Sequence, residues 1–317
     1  KIQKKETSMN DTRRGLDAPA IGLMLVLCLI WGFQQIAIKA VAADISRTLQ
    51  IGLRSGVAAL LVALYMAFRR ERLTVGGGMW KYGSLVALLF ALEFVFVGLG
   101  LAYTSAAHMV VFLYSAPIFA ALGLHWKLPS ERLTAPQWLG VFTAFAGIAV
   151  AFLWHGDAPE GAPASSSLFG DFLALLAAMA WGATTVVIRV TPLASLPATQ
   201  TLLYQLIGAF VVLLPTAFLL GQAHFNPTPL ALASLAFQTV FISFMSLLAW
   251  FALLRRYLAS RLGVFSFMTP LFGVLMGAWL LNEPIEPGFL IGAIWVLAGI
   301  TQVTSYAWIA RWLSRKK

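Results

Sequence analysis

The sequence predicts an all-α integral membrane protein of about ten transmembrane helices, arranged as two inverted five-helix repeats. Three observations carry that expectation. Of 317 residues, 60% are hydrophobic and 11% charged, and the mean hydropathy is +0.84. Water-soluble domains of this length do not reach such values. The apolar residues fall in runs of about 20, the length that crosses a ~30 Å hydrocarbon layer as a helix. And the chain contains itself twice. Tyr114-Ser115-Ala116-Pro117-Ile118-Phe119 aligns with Phe267-Met268-Thr269-Pro270-Leu271-Phe272, Trp126 with Trp279, and Glu131 with Glu283.

Taken in order, the spanning candidates are residues 18–41, 50–68, 83–102, 106–125, 137–154, 171–190, 199–220, 230–254, 262–281 and 289–308. The first is too long for the apolar core of a signal peptide and reads as a retained helix. Backbone polar groups inside hydrocarbon must be satisfied within their own segment, which favours helices. The alternating pattern of barrel strands is absent from the sequence. Residues 1–17 and 155–167 look soluble, and neither is long enough to bury a core.

The net charge of +10 invites a nucleic-acid reading. Its distribution argues instead for membrane orientation. With the N-terminus cytoplasmic, 19 of the 22 Lys and Arg residues fall on the cytoplasmic side, leaving Lys39, Arg47 and Arg54 around one outer loop. This asymmetry fits ten crossings with both termini inside. The expected organisation is a cytoplasmic tail at 1–17, a first repeat at 18–154, an outer linker at 155–169, a second repeat at 170–310 and a basic cytoplasmic tail at 311–317. Five crossings is odd, so the second unit lies upside down relative to the first. Trp31-Gly32 then matches Trp181-Gly182, Lys39 matches Arg189, and Ala146-Gly147-Ile148 matches Ala298-Gly299-Ile300. Inverted repeats supply the physical basis of alternating access.

These residues resemble the EamA branch of the drug/metabolite transporter superfamily. The supporting set is the Trp-Gly pair near each unit's start, the mid-helix prolines Pro117 and Pro270, the glutamates Glu131 and Glu283, and the Gly140-to-Ile148 and Gly292-to-Ile300 endings. The resemblance covers residues 18–310 and implies an exporter in the bacterial inner membrane. Within the family it is strongest to exporters of aromatic amino acids. The first repeat has Ser130-Glu131-Arg132 where the second has Asn282-Glu283-Pro284, so equal roles for the two glutamates do not follow.

Candidate substrate-binding residues are Gln34, Glu93, His108, Phe112, Ser115, Phe119, Ser243 and Trp250, with Pro117 and Pro270 as hinges. Glu93 is the carboxylate placed well inside a span, where charge is costly and faces a bundle interior or a wet cavity. His108, Phe112, Ser115 and Phe119 follow one helix face beside a proline, as do Thr239, Ser243, Ser246 and Trp250 in the eighth span. Such stripes equally suit helix packing. Trp31, Gln35 and Lys39 share a face, as do Trp181, Thr185 and Arg189, but the basic ends are expected to reach for the interface, and Arg54 likewise. Small-residue pairs such as Gly52/Gly56 suit close helix packing.

The single cysteine, Cys28, precludes an internal disulfide. No phosphate-binding G-x-x-x-x-G-K-[ST] loop, H-E-x-x-H or G-x-S-x-G occurs in the sequence, so an enzyme or ATP-driven pump is not expected. No cofactor or metal is expected; the partners are a small molecule and the lipid bilayer, with monomer and homodimer both open. Two alternatives stand beside export of small aromatic compounds: a phosphorylated-metabolite or nucleotide-sugar antiporter, and a non-transporting receptor or scaffold.

Overall fold

The computed structural model describes residues 15–74, 76–101, 103–104, 106–153, 164–281, 285 and 287–314. Among them, nine helical segments are long and apolar enough to cross a membrane, and Ala135–Ala151 is a shorter tenth. In chain order the helices are α1 (Ala18–Ala40), α2 (Arg47–Phe68), α3 (Met79–Gly100), α4 (Ala106–Leu113), α5 (Ala116–Lys127), α6 (Ala135–Leu153), α7 (Ala164–Val190) and α8 (Ala198–Leu219). There follow α9 (Pro229–Phe237), a π-helical stretch (Gln238–Ser246), α10 (Leu247–Arg256), α11 (Ala259–Phe265), α12 (Met268–Leu281) and α13 (Pro287–Ser314). The sole strand-like pairing among the described residues is the isolated bridge Ile45–Phe225.

Three spans are interrupted, and each interruption has a local cause. Pro117 stands at the second position of α5, where its missing N–H is one that a helix start leaves unused anyway. The span therefore breaks at Tyr114 and Ser115, with the Ser115 hydroxyl donating to the Phe112 carbonyl at 2.6 Å. The matching break at Ser266 and Phe267 lies just ahead of Pro270, and the Ser266 hydroxyl donates to the Gly263 carbonyl at 2.6 Å. In the eighth span the π-helical turn widens the helix, a distortion that recurs at functional sites.

The packing has the symmetry of an inverted pair. Helix α1 packs on α12 and its counterpart α7 on α5, while α2 meets its own counterpart α8 and α6 meets α13. Glycines set these distances. A Cβ on Gly147 would lie 2.6 Å from the Gly292 carbonyl oxygen, and one on Gly140 2.9 Å from that of Gly299. Gly32 faces the Gly273 amide, where a Cβ would come within 2.9 Å; Gly182 faces Phe119, at 2.8 Å from its Cβ. Each Trp-Gly pair thus has a structural reason: the glycine lets a broken helix approach closely. Large side chains such as Leu60, Phe142 and Trp279 remain exposed on the outside, where lipid is their solvent.

The loops tie the halves together at both ends. On the side where α2 begins, Asp44 accepts from Asn226 Nδ2 at 3.0 Å and Thr228 Oγ1 at 2.8 Å. On the side where α1 begins, the Tyr257 hydroxyl donates to Asp17 at 2.9 Å and Thr199 Oγ1 to Glu71 at 2.5 Å.

A central cavity between the repeats

The five unbroken helices α1, α2, α3, α7 and α8 and the three interrupted spans leave a space at their centre, lined from both halves of the chain. One chamber, of about 160 Å³, is bounded by Trp31, Arg54, Phe90, Trp181, Gln205 and Trp250 among others. A second, of about 410 Å³, runs from the middle to Arg47, Thr48 and Leu101 at the helix ends of the α2-start side. Gln34, Glu93, Phe94, Leu113 and Tyr114 border both chambers, so the two adjoin at mid-depth. For scale, a dry apolar cavity of roughly 150 Å³ accepts benzene.

Rings cluster in the smaller chamber, while the larger one is walled mainly by aliphatic side chains such as Ile51, Val97 and Val274. Trp31 meets Trp250 edge to face at 5.9 Å between centroids, and Trp181 meets Tyr114 in the same manner at 5.7 Å. Trp31 is fixed further by its indole N–H, which donates to Ser246 Oγ at 2.9 Å. The hydroxyls of Thr184 and Thr185 donate to carbonyls in their own helix, Ala180 at 2.9 Å and Trp181 at 3.4 Å. That leaves them able to accept from a guest.

Besides Arg47, exposed at the mouth of the larger chamber, two buried charge-bearing side chains, Glu93 and Arg54, line this apolar space. Glu93 is 9% exposed, and no protein group among the described residues hydrogen-bonds or ion-pairs with its carboxylate. Arg54 is 4% exposed, in contrast to the expectation that it reaches the interface. The reason is the helix start. Helix α2 begins at Arg47, so Arg54 lies seven residues in, about 10 Å deep. Its Nη1 donates to Gln238 Oε1 at 3.1 Å, and its guanidinium stands 6.0 Å from the centroid of the Phe94 ring. Gln238 is itself held by Gln50 at 2.8 Å and Ser234 at 3.1 Å, so the arginine hangs from a buried polar chain.

On the α1-start side the chamber ends at Ile188 and Leu254, and beneath them lies a buried ionic cluster. Arg189 pairs with Glu131 through both Nε and Nη2, the former at 2.9 Å. The same carboxylate accepts the Ala259 and Ser260 amides at 3.0 Å each and the Ser260 hydroxyl at 2.7 Å. Glu131 therefore caps the start of α11. Arg189 does not reach the interface as its sequence position suggests, because this partner waits for it inside. The equivalent Glu283, and the side chain of Lys39, lie outside the described residues.

The sequence-derived candidates divide as follows. Gln34, Glu93, Ser243 and Trp250 come together on the cavity wall. Phe112, Ser115 and Phe119 do not line either chamber. Ser115 bonds back to its own helix, and Phe119 packs at the α5–α7 contact. The His108 and Gln35 side chains lie outside the described residues. Pro270 lines the larger chamber, whereas Pro117 is buried beside Gly263. Sequence reasoning missed Phe90, Phe94, Tyr114 and Gln205. A signal existed for Phe90 and Phe94, which flank Glu93 on its helix; for Gln205 it was an amide in the middle of an apolar run.

The architecture is that of a helical membrane protein in which two like halves enclose a ligand-sized space. The chain belongs to the EamA-like transporter family, whose model matches residues 18–153 and again 168–305, once for each half. It is a membrane transporter by that membership. It is 24% identical over 282 residues to the "Uncharacterized transporter YoaV" of Bacillus subtilis, covering 87% of this chain and 94% of that one. It is 26% identical over 289 residues to a "Probable amino-acid metabolite efflux pump" of Salmonella typhimurium, covering 88% and 92%. A protein of known crystal structure, 17% identical, superposes with a TM-score of 0.78 over 92% of this chain and 98% of that one, which shows the shared fold.

Proposed function

We propose that the chain is a secondary exporter of aromatic amino acids or similar small aromatic metabolites, working by alternating access in the bacterial inner membrane with both termini in the cytoplasm. The observation that carries this reading is the central space itself. Its smaller chamber is bordered by seven rings, Glu93 at mid-depth has no partner among the described residues, the larger chamber reaches the α2-start side, and the Glu131–Arg189 cluster backs the other side. Rings on the wall favour a flat apolar guest through edge contacts. Two relatives whose printed names speak of amino-acid metabolite efflux, from Salmonella typhimurium and Escherichia coli, support the direction and the substrate class. The positive-inside count supports the orientation.

Transport would proceed by opening the Glu131–Arg189 cluster while the helices around the larger chamber close, with the breaks at Ser115 and Ser266 as hinges beside Pro117 and Pro270. The phosphorylated-metabolite reading is weaker. Among the described residues the cavity wall offers one buried cation, Arg54, and places a carboxylate near it, whereas a phosphate ester calls for several cations. Counterflow of labelled phenylalanine or tryptophan into proteoliposomes tests the proposal. Uptake driven by unlabelled aromatic amino acid inside is expected; flux of a phosphate ester with none of aromatic amino acids would reject it.

A further inference from the structure

We infer that Arg54, Gln205 and Glu93 form a two-ended site for a zwitterion, with Arg54 taking the carboxylate of the guest and Glu93 and Gln205 its ammonium. The inference rests on reading the cavity as the transport site, and narrows what that site accepts. Three observations support it. First, Arg54 is held on one side only. Gln238 satisfies one of its nitrogens, while its buried Nε has no partner. A guanidinium presents donors in a fixed fork suited to a carboxylate, and burial makes an unanswered donor expensive. Second, the Gln205 side chain is 1% exposed and its Oε1 has no partner, leaving an acceptor unused on the same wall. Third, Arg54 and Glu93 border one chamber, yet no ion pair joins them.

Two opposite charges buried around one apolar space attract strongly and would close on each other if their helices allowed it. Arg54 is instead tethered through Gln238 to Gln50 and Ser234, with Gln50 Nε2 donating onward to the Ile45 carbonyl at 2.8 Å. The charges are thus held apart with opposite unmet needs. A molecule carrying both charged groups on one carbon answers both ends at once. An ammonium has three donors to share between a carboxylate and an amide oxygen. Phe90, Phe94 and Trp250 on the same wall leave room for an apolar or aromatic substituent. An amine lacking the carboxylate leaves Arg54 unanswered, and an acid lacking the ammonium adds a second negative charge beside Glu93. The site therefore selects α-amino acids over their decarboxylated or deaminated relatives.

The test is competition against labelled L-phenylalanine on the purified full chain in lipid nanodiscs, using phenethylamine and 3-phenylpropionate. Loss of one charge-assisted contact is expected to weaken each competitor about tenfold to a hundredfold relative to unlabelled phenylalanine. This series needs no variant. Arg54→Gln is expected to erase the discrimination against phenethylamine, and Glu93→Gln that against 3-phenylpropionate. If phenylalanine binds and phenethylamine competes equally well, the zwitterion site is wrong while the transport reading stands. If none of the three binds, the aromatic-substrate reading falls and this inference with it.

Discussion

Glu131 shows what a single carboxylate can organise when water is absent. Its side chain is fully buried and accepts from five donors: two on Arg189, the Ala259 amide, and the amide and hydroxyl of Ser260. Replacing it by Gln leaves the Arg189 charge buried without its counter-ion, a change of about 3–5 kcal/mol. Glu131→Gln should therefore lower the unfolding temperature in detergent. It should also loosen the α1-start side, so that a cysteine at Thr201 becomes more reactive; unchanged reactivity would contradict a gating role. The sequence paired Glu131 with Glu283 by position, but nothing local announces that an arginine 58 residues away is its partner. Arg54 was hidden for another reason. With the helix expected to start at residue 50, the arginine stood at a membrane edge; the observed start at Arg47 carries it inside. Moving one helix boundary by three residues changed a surface cation into a cavity cation.

At the scale of elements, helix packing and helix breaks were legible because each leaves a signature in residue type. The glycines at 140, 147, 292 and 299 read as endings of each half, and they are the contact points of α6 with α13. Gly147→Leu forces a side chain into the Gly292 backbone and is expected to destabilise by about 1–3 kcal/mol or more, measured as loss of monodisperse protein on heating. Gly22, with open space around it, serves as the control: Gly22→Leu should change little. The prolines marked two breaks. The π-helical turn was not legible, since Gln238–Ser246 reads as ordinary helix, and a stripe drawn at regular helical spacing through Thr239, Ser243 and Ser246 ignores the widened turn. Ser246 instead anchors Trp31, and Thr239 donates to the Leu235 carbonyl at 2.7 Å. If the breaks act as hinges, Pro117→Ala should slow counterflow while leaving phenylalanine affinity nearly unchanged. A proportional loss of both would assign the proline to the binding site's shape.

At the scale of the molecule, the duplication explains why the site lies where it does. Equivalent helices meet across an axis through the centre, α2 against α8 and α6 against α13, and the space between them belongs to both halves. The repeat and the central Glu93 could be read from residue spacing. The ring lining could not, because a chain with 41 Phe, Trp and Tyr residues also places rings such as Trp126 and Phe218 toward lipid. Alternating access requires that the central space open to each side in turn. The direct measurement uses a Cys28→Ser background with single cysteines at Thr48, on the larger chamber, and Thr201, in the small pocket it shares with Arg189. Each is probed by a membrane-impermeant maleimide added from each side, with and without phenylalanine. Phenylalanine is expected to change the two labelling rates in opposite directions, each from its own side. Rates that move together, or a Thr201 position that no condition exposes, would contradict alternating access.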